Sequence, residues 1–310
     1  MTHPVIDWSL RNTKNKNDRI KLHENVIEAC KDYGAFYLKN SITNELLQSV
    51  ECVSHEYFAL SLEDKMKNDI SQSSCHRGYF PVGYENAKYS KQMDFKEGFD
   101  LALELSPSDP DVLAKVPLHG PNVWPEKPIN FCEVVKQFYD NLKKIAEELC
   151  VIISNAIDLP ADYFSKITTK PLAQLRLLHY PYSTVQQIGA GAHTDYGIIT
   201  LLWQDNIGGL EVKTSDGKWS SVVPIPGAIF CFIGDAVQRV TNDTLKATVH
   251  RVINKKRCNR YSAAFFFLPN YDAIIEPHPK FLKEKSANYS PITMGDYLSK
   301  SFDTTFSYRK

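Results

Sequence analysis

The chain has 310 residues, 43% of them hydrophobic and 23% charged, an ordinary composition for a folded globular protein with room for a substantial core. Thirty-six basic residues balance thirty-six acidic ones, so no overall field draws the molecule to nucleic acid or to an anionic membrane surface. Met1 to Trp8 lacks a basic-then-apolar signal pattern and no apolar run approaches a membrane span, so the expectation is a cytoplasmic monomer.

Seven cysteines, at 30, 52, 75, 132, 150, 231 and 258, are odd in number and irregularly spaced. That argues against a disulfide scaffold or a zinc ribbon and for free thiols in a reducing compartment.

In chain order, Ile20, Val26, Ile27 and Cys30 keep helical spacing, and Tyr33-Gly34 supplies a glycine stop. Ala35 to Leu38 reads as a short strand. Leu46, Leu47, Val50, Val53, Tyr57 and Phe58 mark a second amphipathic helix, and Ser61-Leu62-Glu63-Asp64 resembles a capping box. From about Ser71 to Pro125 the chain is rich in Gly, Pro, Tyr and Asp and reads as a long irregular excursion. Within it, Arg77-Gly78-Tyr79-Phe80 is expected to line the entrance to a site. The strongest helix is predicted over Ile129 to Ile153, with Phe131, Val134, Val135, Phe138, Leu142, Ile145, Leu149 and Ile152 on one apolar face.

From Leu172 onward short strand candidates alternate with turn signals at 189–191, 208–209, 216–217, 224–227, 234–235 and 242–243. Regular short strands with glycine turns indicate a sandwich or barrel. The predicted fold is therefore mainly β with flanking α, a double-stranded β-helix (jelly roll) core wrapped by N-terminal helices. Residues 1–125 read as a mixed, helical N-terminal region. Residues 126–310 read as the long helix plus the jelly-roll core at about 172–271, the whole forming one integrated unit.

The chemistry concentrates in the β region. His193-Thr194-Asp195 places an imidazole and a carboxylate two positions apart, and residues two apart in extended chain share a face. A small-residue turn precedes the pair and a β-branched apolar run follows it. Downstream, His250 lies in another strand-like segment, and Arg260-Tyr261-Ser262 opens the next. Two imidazoles and one carboxylate form the ligand set of mononuclear Fe(II) sites that keep positions open for oxygen chemistry. An arginine nearby suits the far carboxylate of an acidic cosubstrate through a paired hydrogen-bonding fork.

These residues resemble the isopenicillin N synthase-like group of Fe(II)- and 2-oxoglutarate-dependent dioxygenases. The matching positions are His193 to Gly197, Thr200 to Leu202, Gln204-Asp205, Gly208 to Leu210, Trp219, Gly234-Asp235, Thr241 to Asp243, His250 to Val252 and Arg260 to Ser262. In the N-terminal half they are Asp32 to Tyr37, Arg77 to Tyr79 and Lys96 to Asp100. Leu175 to Pro181 is more similar to the microbial and fungal branch that includes the thymine dioxygenases than to the plant hormone branch, which usually carries Asn where Leu178 stands.

The resemblance implies Fe(II) held by His193, Asp195 and His250, with 2-oxoglutarate as cosubstrate and O2 as oxidant. The products are then succinate, carbon dioxide and an oxidised, usually hydroxylated, small polar or heterocyclic metabolite. It implies that Arg260 and Ser262 bind the distal carboxylate and that Tyr180 bonds the same cosubstrate. Arg176 shares a strand face with Leu178 and Tyr180; it either contacts a polar substrate or pairs with Asp205 or another carboxylate. Tyr196 and Phe266 are candidate pocket aromatics. His76 and His179 read as structural histidines. Three alternatives remain: an iron oxidase of the isopenicillin N synthase type without 2-oxoglutarate, a non-catalytic jelly roll, and a zinc hydrolase, for which no general base is evident.

Overall fold

A computed structural model of the chain describes residues 3–85, 93–214, 216–254, 258–282 and 286–305. The elements of the first half are β1 (Val5–Asp7), α1 (Lys16–Asp32), β2 (Ala35–Lys39), α2 (Asn44–Phe58), α3 (Leu62–Met66), β3 (Gly78–Phe80), β4 (Glu97–Ala102) and α4 (Pro110–Leu113). Then follow α5 (Phe131–Ala156), α6 (Tyr163–Lys166), β5 (Gln174–Tyr180), β6 (Gln187–His193), β7 (Ile199–Gln204), β8 (Leu210–Lys213), β9 (Trp219–Ser221), β10 (Ala228–Ile233) and α7 (Asp235–Val240). The chain ends with β11 (His250–Asn254), β12 (Arg260–Phe267), β13 (Ile274–Ile275), β14 (Ile292–Thr293) and α8 (Met294–Thr305).

Local chemistry sets several boundaries. Asn15, Thr43 and Ser61 cap α1, α2 and α3 by accepting from backbone N–H groups inside the first turn. At Ser61 the return bond of the predicted box runs from the hydroxyl to the Asp64 carboxylate over 3.0 Å. α1 stops before Gly34, whose φ of +65° only glycine adopts without strain. Ile20 falls off the buried face and is exposed; Leu22, Val26, Ala29 and Cys30 make that face instead.

Eight strands form one sheet in the order β1-β2-β10-β7-β12-β5-β4-β3, and four form a second in the order β6-β11-β8-β9. Strand alternation separates two cores. On β10, Ile229, Cys231 and Ile233 face a helix-covered core, while Phe230 and Phe232 face a second core between the sheets. On β12 the split is Ala263, Phe265 and Phe267 against Ala264, with Phe266 packed at the edge of both. α1, α2 and α5 cover the first core, and Phe138 and Leu142 of α5 are completely buried there. Truncating a buried Phe such as Phe138 costs roughly 3–5 kcal/mol.

The irregular excursion predicted over 71–125 is corrected. It carries β3 and β4, which extend the large sheet beyond β5 in antiparallel register, Asp100 opposite Arg176. Their shortness, their glycines and the charges of β4 hid them in the sequence, because Glu97 and Asp100 are buried against His179 and Arg176 of the neighbouring strand. Arg77 to Phe80 are likewise interior rather than at an entrance: Phe80 is fully buried, and Arg77 donates to the carbonyls of Cys75, His76 and Leu118. The small-residue stretch 189–191 is strand interior, not a turn; a Cβ on Gly189 would meet the Tyr180 ring at 2.5 Å. Gly234 is the N-cap of α7, not a loop turn. The seven cysteines are all free, Cys52 alone being exposed.

Candidate metal centre

The site lies on the inter-sheet face. Even-numbered positions of β5, β7 and β12 point there, which puts Arg176, Leu178 and Tyr180 beside Thr200, Leu202 and Gln204 and beside Arg260 and Ser262. From the second sheet, β6 ends on His193 and β11 begins on His250, and the two are paired in register. Asp195 lies just past β6, in the link to β7, so the expected single strand breaks between the two ligands.

The three side chains nonetheless converge. Asp195 Oδ1 is 3.7 Å from Nε2 of His193 and 3.7 Å from Nε2 of His250. One ligand atom from each falls within 4.8 Å of the others. Separations of this order suit atoms about 2.0–2.2 Å from one shared ion. Asp195 Oδ2 is buried without a hydrogen-bond partner, an arrangement that costs stability unless a cation or water satisfies it.

The imidazoles are oriented for the same purpose. Nδ1 of His193 lies 2.7 Å from the Gly191 carbonyl, and Nδ1 of His250 lies 2.9 Å from the Thr248 carbonyl. A carbonyl accepts only, so each Nδ1 carries the proton and each Nε2 keeps its lone pair for a metal. Burial pushes the His250 imidazole down to about 4 against the raising effect of Asp195, so the ring is neutral near pH 7. Phe232 stacks on it at 4.4 Å and fixes its plane. Donor chemistry, tautomers and the orphaned oxygen all fit a divalent iron.

Two adjoining cavities meet at this triad. The inner one holds Arg260, which is fully buried. Its Nε donates to the Gly208 carbonyl at 2.7 Å, Nη2 to Gln204 Oε1 at 3.1 Å and Nη1 to the Ser262 hydroxyl at 3.3 Å. The guanidinium also lies 4.6 Å over the Tyr180 ring. All these partners are neutral; among the described residues no carboxylate pairs with it within 4.0 Å. A buried charge held only by neutral groups is an anchor for an anion. Gly209 makes the packing feasible: φ is +97°, and a Cβ there would stand 2.6 Å from the Ile253 carbonyl.

The outer cavity is walled by Tyr196 and Phe266 and by Leu298, Phe302 and Thr305 of α8. α8 has a signal that could have announced it, since Met294, Leu298 and Phe302 recur at four-residue spacing, but no chemical motif marks it as a wall of the site. Arg176 also lines this cavity, but its partners are Asp100 and Glu85, not Asp205. Nε and Nη2 bond the two Asp100 oxygens at 2.7 Å each, and Nη1 bonds both Glu85 oxygens at 3.0 Å. Asp205 instead accepts from the backbone N–H groups of Tyr261 and Ile207 and pins the start of β12.

Glu85 and Lys96 are charged site-lining residues that sequence reasoning also overlooked, and the cavity reveals them. Lys96 Nζ lies 3.0 Å from Glu85 and 3.0 Å from Asp94. His179 bonds Glu97 at 2.7 Å and stacks on Tyr261, and His76 lies 3.4 Å from Asp100 and stacks on Phe302. Both rings are packed against aromatic neighbours and face carboxylates. No helix among the described residues is long and apolar enough to cross a membrane.

Comparison with known proteins agrees with this geometry. Residues 3–127 match the model for the N-terminal region of a non-haem dioxygenase in morphine synthesis, and residues 171–269 match that of the 2OG-Fe(II) oxygenase superfamily. A homoarginine-6-hydroxylase of Oryza sativa is 34% identical over 94% of this chain and 92% of that protein. A 2-oxoglutarate-Fe(II) type oxidoreductase of Emericella nidulans is 31% identical over 98% of this chain and 90% of that protein. The crystal structure of the full-length thymine 7-hydroxylase of Neurospora crassa, in complex with alpha-KG and thymine, superposes with a TM-score of 0.81. It is 29% identical, and the match covers 96% of this chain and 95% of that one.

Proposed function

The chain belongs to the 2OG-Fe(II) oxygenase superfamily, and from that premise we propose how its residues divide the work of an Fe(II)- and 2-oxoglutarate-dependent dioxygenase that hydroxylates a small metabolite. Iron and 2-oxoglutarate, when bound, supply the oxidising power: O2 is consumed, 2-oxoglutarate becomes succinate and carbon dioxide, and one oxygen atom enters a substrate C–H bond.

His193, Asp195 and His250 hold the metal. Arg260 holds the distal carboxylate of 2-oxoglutarate at the closed end of the inner cavity, with the Ser262 hydroxyl beside it and Tyr180 flanking it. Leu178, Leu202 and Val252 keep water from that cavity. Tyr196 and Phe266 bound the substrate chamber from the metal side, while Arg176 orients its polar wall. The relatives named for homoarginine and for thymine support a small, polar, nitrogen-rich substrate. The shared sheet of β1 to β4 with β5, β7, β10 and β12 supports reading both halves as one integrated unit. We propose that it acts as a monomer in the cytoplasm.

The single observation that carries the assignment is the buried Arg260, with no carboxylate partner among the described residues, facing the cavity at which the His193, Asp195 and His250 donors meet. Anaerobic addition of Fe(II) and 2-oxoglutarate tests it through the metal-to-ligand charge-transfer band, followed by counting succinate released on oxygen exposure. Substrate oxidation without succinate would instead favour the isopenicillin N synthase type of oxidase.

A further inference from the structure

Building on the dioxygenase reading above, we propose that the substrate carries a positive charge, a guanidinium or ammonium group close to the carbon that reacts, and that Glu85 is the residue that recognises it.

The outer cavity must take a substrate if the reaction occurs at the triad, so its charge decides what enters. Arg176 and Glu85 on its wall belong to a chain of alternating charges that runs behind the lining, Asp100, Arg176, Glu85, Lys96 and Asp94, each within 3.0 Å of the next. Carboxylates stand at both ends and in the middle, so among the described residues the chain holds three anions against two cations. The end carboxylates have additional partners. Asp100 accepts from Gln174 at 2.7 Å and lies against His76, whose burial disfavours the charged form; Asp94 accepts from the Gly191 N–H at 3.0 Å.

Glu85 in the middle is different. Its carboxylate lines both cavities together with His193 and Asp195, and its side chain is only 12% exposed. It accepts one bond at Oε1 from Arg176 and two at Oε2, from Arg176 and Lys96. A carboxylate offers about four lone-pair sites, so Oε1 keeps one for a ligand donor. Burial raises the Glu85 pKa, but Arg176 and Lys96 outweigh it and hold the group down to about 2, so it is ionised at any ordinary assay pH.

Arg176 does not reverse this sign. Asp100 takes its Nε and Nη2, and Glu85 takes Nη1, so its charge is shared between two carboxylates. Arg77 serves three backbone carbonyls and lines a separate cavity. Within the chamber, Tyr196, Phe266 and Phe302 offer π faces that favour a cation near a planar or alkyl body. Among side chains this deeply buried, one surplus carboxylate penalises an anion and rewards a donor-rich cation.

The test uses the intact protein loaded anaerobically with Fe(II) and 2-oxoglutarate, and two isosteric probe pairs: arginine against citrulline, and guanidinium against urea. Calorimetry and perturbation of the charge-transfer band read binding. In each pair the cation is expected to bind about tenfold or more tighter, the scale of one charge-assisted hydrogen bond. Glu85→Gln should lose that preference while keeping the 2-oxoglutarate band, and Glu85→Asp should restore part of it. A neutral member binding as well as its cation, or no retention of either cation at millimolar concentration, overturns the proposal. If the 2-oxoglutarate band itself fails to form in the unaltered protein, the underlying dioxygenase reading falls, and the proposal with it.

Discussion

The Tyr297 hydroxyl donates to the Asp235 carboxylate over 2.6 Å, fastening α8 to the start of α7. The Asp235 backbone N–H in turn donates to the Asp195 carbonyl at 2.7 Å, so the outer wall of the substrate chamber and a metal ligand are two bonds apart.

Removing that link should loosen the wall without emptying the metal site. Tyr297→Phe is expected to cost about 1–3 kcal/mol, since the acceptor is a charged group. The midpoint of thermal unfolding should drop and KM for the primary substrate should rise, while the dissociation constant for 2-oxoglutarate stays put. An equal weakening of both ligands would argue against α8 as a substrate wall.

The triad predicts metal-dependent stability. Saturating Fe(II), or Mn(II) as an inert substitute, at about 100 times its dissociation constant should add roughly 2.7 kcal/mol to the unfolding free energy. Chelation should remove that gain, and Asp195→Ala or His193→Ala should abolish both the gain and 2-oxoglutarate turnover. A normal metal-induced shift in Asp195→Ala would place the ion elsewhere.

Arg260 should govern cosubstrate affinity. Loss of one charge-assisted bond is worth roughly 1.5–3 kcal/mol, so Arg260→Lys should raise the 2-oxoglutarate dissociation constant about 10- to 150-fold. Lysine keeps the charge but not the planar fork. Anaerobic titration of the charge-transfer band gives the value directly, and an unchanged constant would mean that the anchor lies elsewhere.

Gly234 is a packing constraint on the metal segment. A Cβ there would stand 2.3 Å from the Gly197 carbonyl and 3.0 Å from that of Asp195. Gly234→Ala should therefore destabilise the fold by about 1–3 kcal/mol and weaken metal binding as the Asp195 backbone is displaced. Denaturant unfolding together with metal titration would detect both effects.

Acid sensitivity should trace to Glu85. Its folded pKa is depressed to about 2 from an ordinary 4.5, so its contribution to stability is complete above the unfolded value and disappears as pH falls towards 2. Between pH 7 and pH 3 the unaltered protein should lose more urea resistance than Glu85→Gln. Parallel losses in the two proteins would contradict the depressed value.

The order of the chain alone determined much of this molecule. Strand alternation made Arg260 and Ser262 share a face, and His-x-Asp with a later histidine announced the donor set, because these patterns depend on neighbours along the backbone. Apolar spacing likewise placed α2 and α5, although Ile20 shows how a single hydrophobic position can fall outside its stripe. Pairings across long separations were another matter. Arg176 had several carboxylates within imaginable reach, and only the register of β5 against β4 chose Asp100 over Asp205. The same register drew strands out of the stretch between 71 and 125, and the folded chain brought Glu85 and Lys96 into a cavity that the metal ligands also line. Local sterics are written in adjacent residues; which charges meet is decided when sheets close and burial leaves each ion only the partners within reach.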